Sequence, residues 1–155
     1  MGNKSSSQET VISEIELSYT PKRKISDLPK VTTSYEVYEI LLNSWDKSKL
    51  QFVEQFKVML LNRAGRVLGI CTLTTGSGSC TVVDPKLVFA LALKANAGRI
   101  ILAHNHPAGN LMPSKNDFDL TYKIKQAARL LEVQIDDHMI ISAEGFYSFA
   151  DEGAL

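Results

Sequence analysis

Two histidines stand together in the segment His104-Asn105-His106-Pro107, directly after an apolar run. On an extended chain, residues two apart point to the same side, with Cα atoms roughly 6.6–7 Å apart. That separation lets both imidazoles chelate one metal ion. Pro107 has no N–H to give to a strand ladder, so the strand is predicted to end there. The segment therefore has the residue types and the spacing of a metal-binding site.

Asp117 offers a carboxylate to the same ion, since it falls in the first turn of the next predicted helix. A loop that closes back over the strand end would bring it beside the histidines. Two nitrogens and one oxygen form a three-ligand set that leaves the fourth tetrahedral position to water. This set is typical of catalytic zinc sites, whereas structural sites are usually closed by cysteines. We therefore predict a Zn²⁺ ion bound by His104, His106 and Asp117.

Ser114 has two interpretations, and the local sequence leaves both open. Its hydroxyl can cap the helix in a Ser-x-x-Asp box that Asp117 completes. Alternatively, the hydroxyl can point into the site and donate a hydrogen bond to a developing oxyanion. The local pattern alone favours the cap, because Ser is a common residue at helix N-termini.

A strand and a helix must position these residues. The strand is predicted over 100–103, and a loop rich in Pro and Gly over 107–113 leads to a helix over 114–131. The predicted inner face of that helix consists of Phe118, Thr121, Ala128 and Leu131. Ligands of layered α/β proteins gather beyond the carboxyl ends of strands, which is where the histidines stand.

The chain around them alternates strand and helix signals from about Phe52. Strands are predicted over 58–61, 67–73 and 80–83, with a turn at 62–66 and a Thr/Gly/Ser loop over 74–79. A helix starts at Asp84 and Pro85, with Leu87, Leu91 and Ala95 on its inner face. Closing strands are predicted over 133–135, 138–141 and 146–149, with turns at Asp136-Asp137 and Glu144-Gly145. Helices alternating with strands predict a layered α/β domain.

The N-terminal third divides into two parts. Residues 1–30 are predicted to be a polar, partly disordered leader that includes an edge strand over 15–19, where apolar and polar residues alternate. Residues 31–50 are predicted to form a helix that begins near Thr33, with Glu36 completing a capping box. Its buried face consists of Val37, Leu41 and Trp45. The remainder, 51–155, is the main domain.

Composition excludes several classes of protein. The 17 basic and 17 acidic residues give a net charge of zero, so a dedicated surface for duplex DNA is not expected. Two cysteines are too few for a secreted disulfide framework, and no apolar segment approaches the roughly 18 residues of a membrane helix. We predict a cytoplasmic protein that does not bind membranes.

Glu54 offers a second carboxylate, just before the strand predicted over 56–61, where it could serve as a base. Strand order does not follow from the sequence, so this pairing rests partly on a resemblance. Glu54, His104-x-His106-Pro107 and Ser114-x-x-Asp117 together resemble the JAMM motif of JAB/MPN zinc isopeptidases, and the surrounding sequence is similar to the RadC-like subfamily. The similarity covers about residues 45–155 and includes Ile101 to Gly109, Pro113, Thr121, Asp137-His138 and Tyr147-x-Phe149.

This resemblance implies a cytidine-deaminase-like JAB/MPN fold, a three-layer α/β domain with a mixed sheet between helices. It implies His104, His106 and Asp117 as zinc ligands, Glu54 as general base and Ser114 as the polarising residue. The implied activity is hydrolysis of a peptide or isopeptide amide bond in a peptide or protein substrate. Two departures are Ala108, where the family usually has Ser, and the lack of the helix-hairpin-helix region of longer RadC-like proteins.

Other functions fit the sequence less well. A metal-binding interaction module without catalysis, associated with DNA repair or recombination, would need no base such as Glu54. An HNH nuclease spreads its three motif residues over a ββα unit, and a zinc nucleoside deaminase needs His-x-Glu and Pro-Cys-x-x-Cys motifs that this sequence lacks. His138, a lone histidine near a predicted turn, is expected to be structural and not a substrate contact.

Overall fold

A mixed β-sheet with helices on both faces forms the centre of the protein. A computed structural model describes residues 12–16, 18–76 and 82–155. The strands in these ranges are β1 (Glu54–Leu61), β2 (Val67–Gly76), β3 (Arg99–Asn105), β4 (Gln134–Ser142) and β5 (Gly145–Ser148). They lie in the order β2-β1-β3-β4-β5, in which β3 and β4 are parallel and the other neighbours antiparallel. The mixed sheet agrees with the predicted fold class.

Helices cover both faces of this sheet. They are α1 (Ser34–Ser44), α2 (Lys47–Leu50), α3 (Pro85–Lys94) and α4 (Lys115–Leu130), and a 3-10 turn spans Ile25–Asp27. Helices α1 and α2 pack against one face, where Met59 of β1 is buried, and α3 and α4 pack against the other, where Val58 is buried. Successive side chains of a strand point to opposite faces, so β1 contributes to both cores. The three-layer α/β architecture is confirmed.

The strand predicted over 58–61 lies within β1 and is buried on both faces, as expected for a central strand. The predicted turn after it is also present. The Asn62 side chain accepts hydrogen bonds from the N–H groups of Ala64 and Arg66, each at 3.0 Å. Gly65 adopts a φ of 78° in this turn, a conformation that costs glycine little. This turn joins β1 to β2, which continues three residues beyond its predicted end, into the loop predicted over 74–79.

Helix α1 begins at the predicted capping box and buries Val37 and Leu41, and Trp45, which follows its last residue, is also buried. Helix α3 also begins as predicted, with Asp84 as its cap and Pro85 in its first turn. Its predicted inner face is only partly correct, because Ala95 is buried and Leu91 packs against the core, but Leu87 is 49% exposed. The buried side chains are Val88, Phe89 and Ala92. Helix α3 is apolar on more than one side, so hydrophobic spacing does not select the stripe that packs.

The inner face predicted for helix α4 is partly correct. Thr121 and Ala128 are buried, but Phe118 and Leu131 are exposed, and Ile124 completes the buried stripe. Phe118 lies at the edge of this face, where its ring contacts that of Phe149 at a centroid distance of 5.2 Å.

The turn predicted at Asp136-Asp137 is wrong, because both residues lie inside β4. A register shift leaves Asp136 without a partner on β3, as in a β-bulge. Its carboxylate pairs with Arg99 at 2.8 Å, and Asp137 accepts a hydrogen bond from the Ala150 N–H at 3.0 Å. Partners distant in sequence thus stabilise two acidic residues inside a strand. The turn predicted at Glu144-Gly145 is present as the β4–β5 connection.

For two predicted strands, over 15–19 and 80–83, the described residues show no strand. The described part of the predicted N-terminal strand, residues 15, 16, 18 and 19, has no strand pairing, and Ile15 is 94% exposed. Alternation of apolar and polar residues does not form a strand without a partner edge. Residues 82 and 83 lie outside any strand, and 80 and 81 fall outside the described residues. No helix in the described ranges has the length and apolarity needed to cross a bilayer.

Candidate metal centre

The two histidines lie at the carboxyl end of β3, next to the parallel strand β4. His104 is within the strand and His106 follows its last residue. Alternation along β3 turns both imidazoles toward the α3/α4 face and turns the Asn105 side chain toward the α1/α2 face. The strand prediction for this segment is confirmed.

Helix α4 supplies the third donor. The loop after Pro107 returns the chain over the end of β3, so that Asp117 in the first turn of α4 faces the histidines. Asp117 Oδ1 lies 3.1 Å from His104 Nε2, and Asp117 Oδ2 lies 3.8 Å from His106 Nε2. The two histidine Nε2 atoms are 3.1 Å apart.

These distances fit one metal ion. A tetrahedral zinc site with bonds of about 2.0–2.1 Å has ligand atoms roughly 3.3–3.4 Å from one another. The three donors lie close to that spacing and within 4.8 Å of one another. The structure therefore brings together the three predicted ligands in a group that could hold a metal ion.

Hydrogen bonds fix Asp117 in this position. The Ser114 N–H donates to Asp117 Oδ2 at 2.6 Å and the Ser114 hydroxyl donates to the same oxygen at 2.8 Å. In return, the Ser114 Oγ accepts from the Asp117 N–H at 3.2 Å. This is the reciprocal capping box that the local sequence favoured.

The Asp117 carboxyl is held in its ionised form. Burial, the largest single effect, raises its pKa, but His104 and the two Ser114 donors together lower that pKa well below its usual range. An ionised carboxylate is the state that binds a cation.

Glu54 lies on the same face of the sheet as the histidines. Antiparallel pairing places Phe56 opposite His104, so the register continues to put Glu54 opposite His106. Residues opposite one another share a face. Strand β1 is therefore the neighbour of the histidine strand, as predicted for the Glu54 pairing.

A cleft of about 640 Å³ opens between these elements. Its polar lining includes Glu54, His106, Ser114 and Asp117, four of the five predicted site residues. Its other walls are largely apolar and include Phe52, Val53, Val82, Val83 and Leu120. The donor cluster, which consists of His104, His106 and Asp117, thus lies at a cleft that a substrate can enter.

Asn105, between the two histidines, has a role that sequence reasoning missed. Its side chain is buried and accepts from the Gln55 N–H at 2.7 Å. Its amide group donates to the carbonyls of Leu50 and Val53, at 2.7 and 2.9 Å. Asn105 thereby connects the start of β1 to the end of β3. The signal in the sequence is an amide side chain between two predicted metal ligands.

His138, which the sequence predicts to be structural, contacts the predicted metal ligand His104. It is 0% exposed on β4, and its Nε2 lies 2.9 Å from His104 Nδ1. Burial, followed by the nearby His104, lowers the pKa of the His138 imidazole well below its usual value. His138 is therefore neutral near pH 7.

Comparison with known proteins finds relatives that match most of this chain. A family model described as the RadC-like JAB domain matches residues 31–154. A UPF0758 protein of Flavobacterium johnsoniae is 37% identical over 145 residues, covering 93% of this chain and 62% of that protein. A UPF0758 protein of Thermotoga maritima is 35% identical over 149 residues, covering 94% of this chain and 64% of that protein.

A third relative, the UPF0758 protein YfjY of Escherichia coli, is 39% identical over 113 residues, covering 72% of this chain and 71% of that protein. The chain spans about three fifths of the length of the Flavobacterium and Thermotoga relatives. The family match runs through all three layers of the fold and includes the whole donor cluster. The chain therefore belongs to the RadC-like JAB domain family.

Proposed function

We propose that this protein is a zinc-dependent hydrolase of the JAMM type that cleaves a peptide or isopeptide amide bond. The observation that carries the proposal is the convergence of His104, His106 and Asp117 beside a cleft that Glu54 also lines. A binding module could use the three donors, but it has no use for a carboxylate placed as a base. Family membership supports the same reaction class.

His104, His106 and Asp117 would hold the zinc. Bound there, Zn²⁺ supplies Lewis acidity, which polarises a carbonyl oxygen and lowers the pKa of water to about 7. Glu54 takes a proton from the attacking water and later delivers it to the leaving amine nitrogen. The residues that would hold the metal and the residue that would move the proton thus lie on one face of the sheet.

Ser114 would donate a hydrogen bond to the oxyanion that forms on the substrate carbonyl. In the structure its hydroxyl donates to Asp117 Oδ2. The Ser114 N–H holds the same oxygen at 2.6 Å, so the hydroxyl can turn toward substrate while Asp117 stays in place. Capping and oxyanion stabilisation are therefore compatible roles for this residue.

A peptide or a segment of a protein is the proposed substrate. The cleft is open and largely apolar around the donors, which suits an extended chain with apolar side chains. The net charge of zero gives no support to a nucleic-acid substrate. Two cysteines in 155 residues suit a reducing compartment, and we propose the bacterial cytoplasm.

A paired metal and cleavage assay tests the proposal. We expect elemental analysis to find about one zinc per chain and a peptide library to be cleaved in a chelator-sensitive manner. Glu54→Gln keeps the size of the side chain but cannot accept a proton, so turnover should fall by roughly 10²–10⁴ while zinc content stays unchanged. Glu39→Gln, an exposed position on α1, is the matched control and should retain full turnover.

Three outcomes would contradict parts of this proposal. Loss of zinc from Glu54→Gln would make the carboxylate a ligand and leave the site without its base. Zinc binding without cleavage of any peptide would favour the non-catalytic interaction module. Zinc content that does not fall in a His104→Ala/His106→Ala double variant would remove the metal site itself.

A further inference from the structure

A buried chain of hydrogen bonds runs from His104 away from the cleft. His104 Nδ1 lies 2.9 Å from His138 Nε2, and His138 Nδ1 lies 2.5 Å from Thr121 Oγ1. The Thr121 hydroxyl in turn donates to the main-chain carbonyl of Asp117 at 2.6 Å. The three side chains are each at most 4% exposed. Their polar atoms must therefore satisfy one another.

The carbonyl at the end fixes the direction of every bond in this chain. Thr121 Oγ1 and the Asp117 carbonyl oxygen are 2.6 Å apart, so a proton lies between them, and because a carbonyl only accepts, that proton is the single hydroxyl proton of Thr121. Thr121 Oγ1 must then accept from His138 Nδ1, which carries a proton. A second proton on His138 would place an extra charge in a fully buried position, which is costly. His138 Nε2 is therefore an acceptor.

The same direction continues to His104. Facing an acceptor at 2.9 Å, His104 Nδ1 must carry a proton and donate it to His138. The nitrogen that faces the other two ligands is Nε2, which lies 3.1 Å from both Asp117 Oδ1 and His106 Nε2. A proton that Nε2 shares with Asp117 in the metal-free chain would leave when a metal binds. The opposite arrangement, with the His104 lone pair toward His138, would leave Nε2 protonated and unable to bind a metal.

Aromatic contacts hold the His138 ring in this orientation. Phe149 stacks on it at a centroid distance of 4.8 Å and an interplanar angle of 12°. Phe56 contacts the ring edge-on at 5.8 Å and 65°. Rotation of the imidazole would disrupt both contacts, so the ring presents Nε2 to His104 in a fixed direction.

We propose that His138 and Thr121 are positioning residues that fix the tautomer and ring orientation of His104, so that Nε2 faces the metal. This inference rests on the proposed zinc site. Hydrogen-bond partners of metal-bound histidines commonly have this effect, and their loss typically costs 10–100-fold in metal affinity.

Zinc affinity of the full chain, measured by competition with a chromophoric chelator, tests this role. His138→Phe keeps an aromatic ring for stacking but removes the acceptor, and we expect the Kd for Zn²⁺ to rise about 10–100-fold. His138→Gln places an amide oxygen near the former Nε2 position and should restore most of the affinity. Ile124→Val, a buried change one turn from Thr121 on α4, is the matched control and should leave the Kd unchanged.

Thr121→Val provides a second variant if His138→Phe fails to fold. It removes the acceptor for His138 Nδ1 and should weaken zinc binding in the same direction, whereas Thr121→Ser should not. Folded His138→Phe or Thr121→Val protein with wild-type zinc affinity would overturn the proposal.

Long-range ¹H–¹⁵N NMR spectra of the metal-free chain test the tautomers directly. We expect protons on Nδ1 of both His104 and His138, with His138 Nε2 unprotonated. A proton on His138 Nε2 would refute the proposed direction of the hydrogen bonds. If the wild-type chain bound no zinc through His104, the proposed function would fail instead, and these spectra would still decide the hydrogen-bond direction.

Discussion

Helices α1 and α4 both begin with a capping box, Thr33 with Glu36 in one and Ser114 with Asp117 in the other. In α1, one oxygen of Glu36 accepts from the N–H and hydroxyl of Thr32 and from the Thr33 N–H, at 2.7–3.1 Å. In α4, one oxygen of Asp117 likewise accepts both Ser114 donors. The two helix starts share the reciprocal capping box, although the hydroxyl that donates to the carboxylate belongs to Thr32 in α1 and to the cap residue Ser114 in α4.

The surroundings of the two boxes differ. The box of α1 is exposed on the surface. The box of α4 lies against the end of β3, so the second oxygen of Asp117 is 3.1 Å from His104 Nε2. The comparison shows that a capping box positions a carboxylate, while the neighbouring strand decides whether that carboxylate can bind a metal.

Replacing each carboxylate by its amide should give the largest difference between the two capping boxes, and that difference is in zinc content. Asp117→Asn keeps the side-chain shape but removes the anionic donor, so zinc content should fall from about one per chain to a small fraction of that. Glu36→Gln should retain the full zinc content. Elemental analysis after desalting measures both. Stoichiometric zinc in Asp117→Asn would show that this carboxylate is not a ligand.

Removing each capping hydroxyl should distinguish the two boxes less strongly than replacing the carboxylates does. Ser114→Ala and Thr33→Ala should each cost about 1 kcal/mol of stability, measured by denaturant unfolding of the metal-free protein. Only Ser114→Ala should also reduce turnover, by roughly 10²–10³, because it removes the proposed oxyanion donor. Unimpaired turnover per folded Ser114→Ala molecule would limit this serine to its capping role.

The smallest expected difference is in acid stability. The main-chain hydrogen bond from Thr32, followed by the other box donors, lowers the pKa of Glu36 below its ordinary value of 4.5. Its contribution to stability is therefore complete above that value and is lost as the pH falls through the folded-state pKa. The melting temperature of the wild type should exceed that of Glu36→Gln near pH 6 and approach it near pH 3. A pH-independent difference would contradict this explanation.

Much of the site follows from local sequence. The spacing of His104 and His106, the proline after them and the Ser-x-x-Asp box each describe residues close together in the chain, and local geometry then fixes their arrangement. The pairing of the Glu54 strand with the histidine strand could not be derived in this way and depended on family resemblance. The sequence also did not determine the buried face of α3, because that helix is apolar on several sides.

The features that sequence reasoning missed all depend on distant partners. His138 contacts His104 across 34 positions, and Asn105 contacts Gln55 across 50. The Asp136-Asp137 pair predicted a turn because acidic residues are rare inside strands, but Arg99 and the C-terminal segment stabilise them within β4. No pattern within a single element encodes such contacts.

The Asn105 side chain also makes one backbone amide a reporter on the site. The Gln55 N–H, next to Glu54, donates to this buried side chain at 2.7 Å. Its hydrogen exchange with solvent requires this buried contact between the start of β1 and the end of β3 to open, beside Glu54 and the histidines. The exchange rate of this single amide therefore reports how often the junction between β1 and β3 beside the proposed base opens in the native protein.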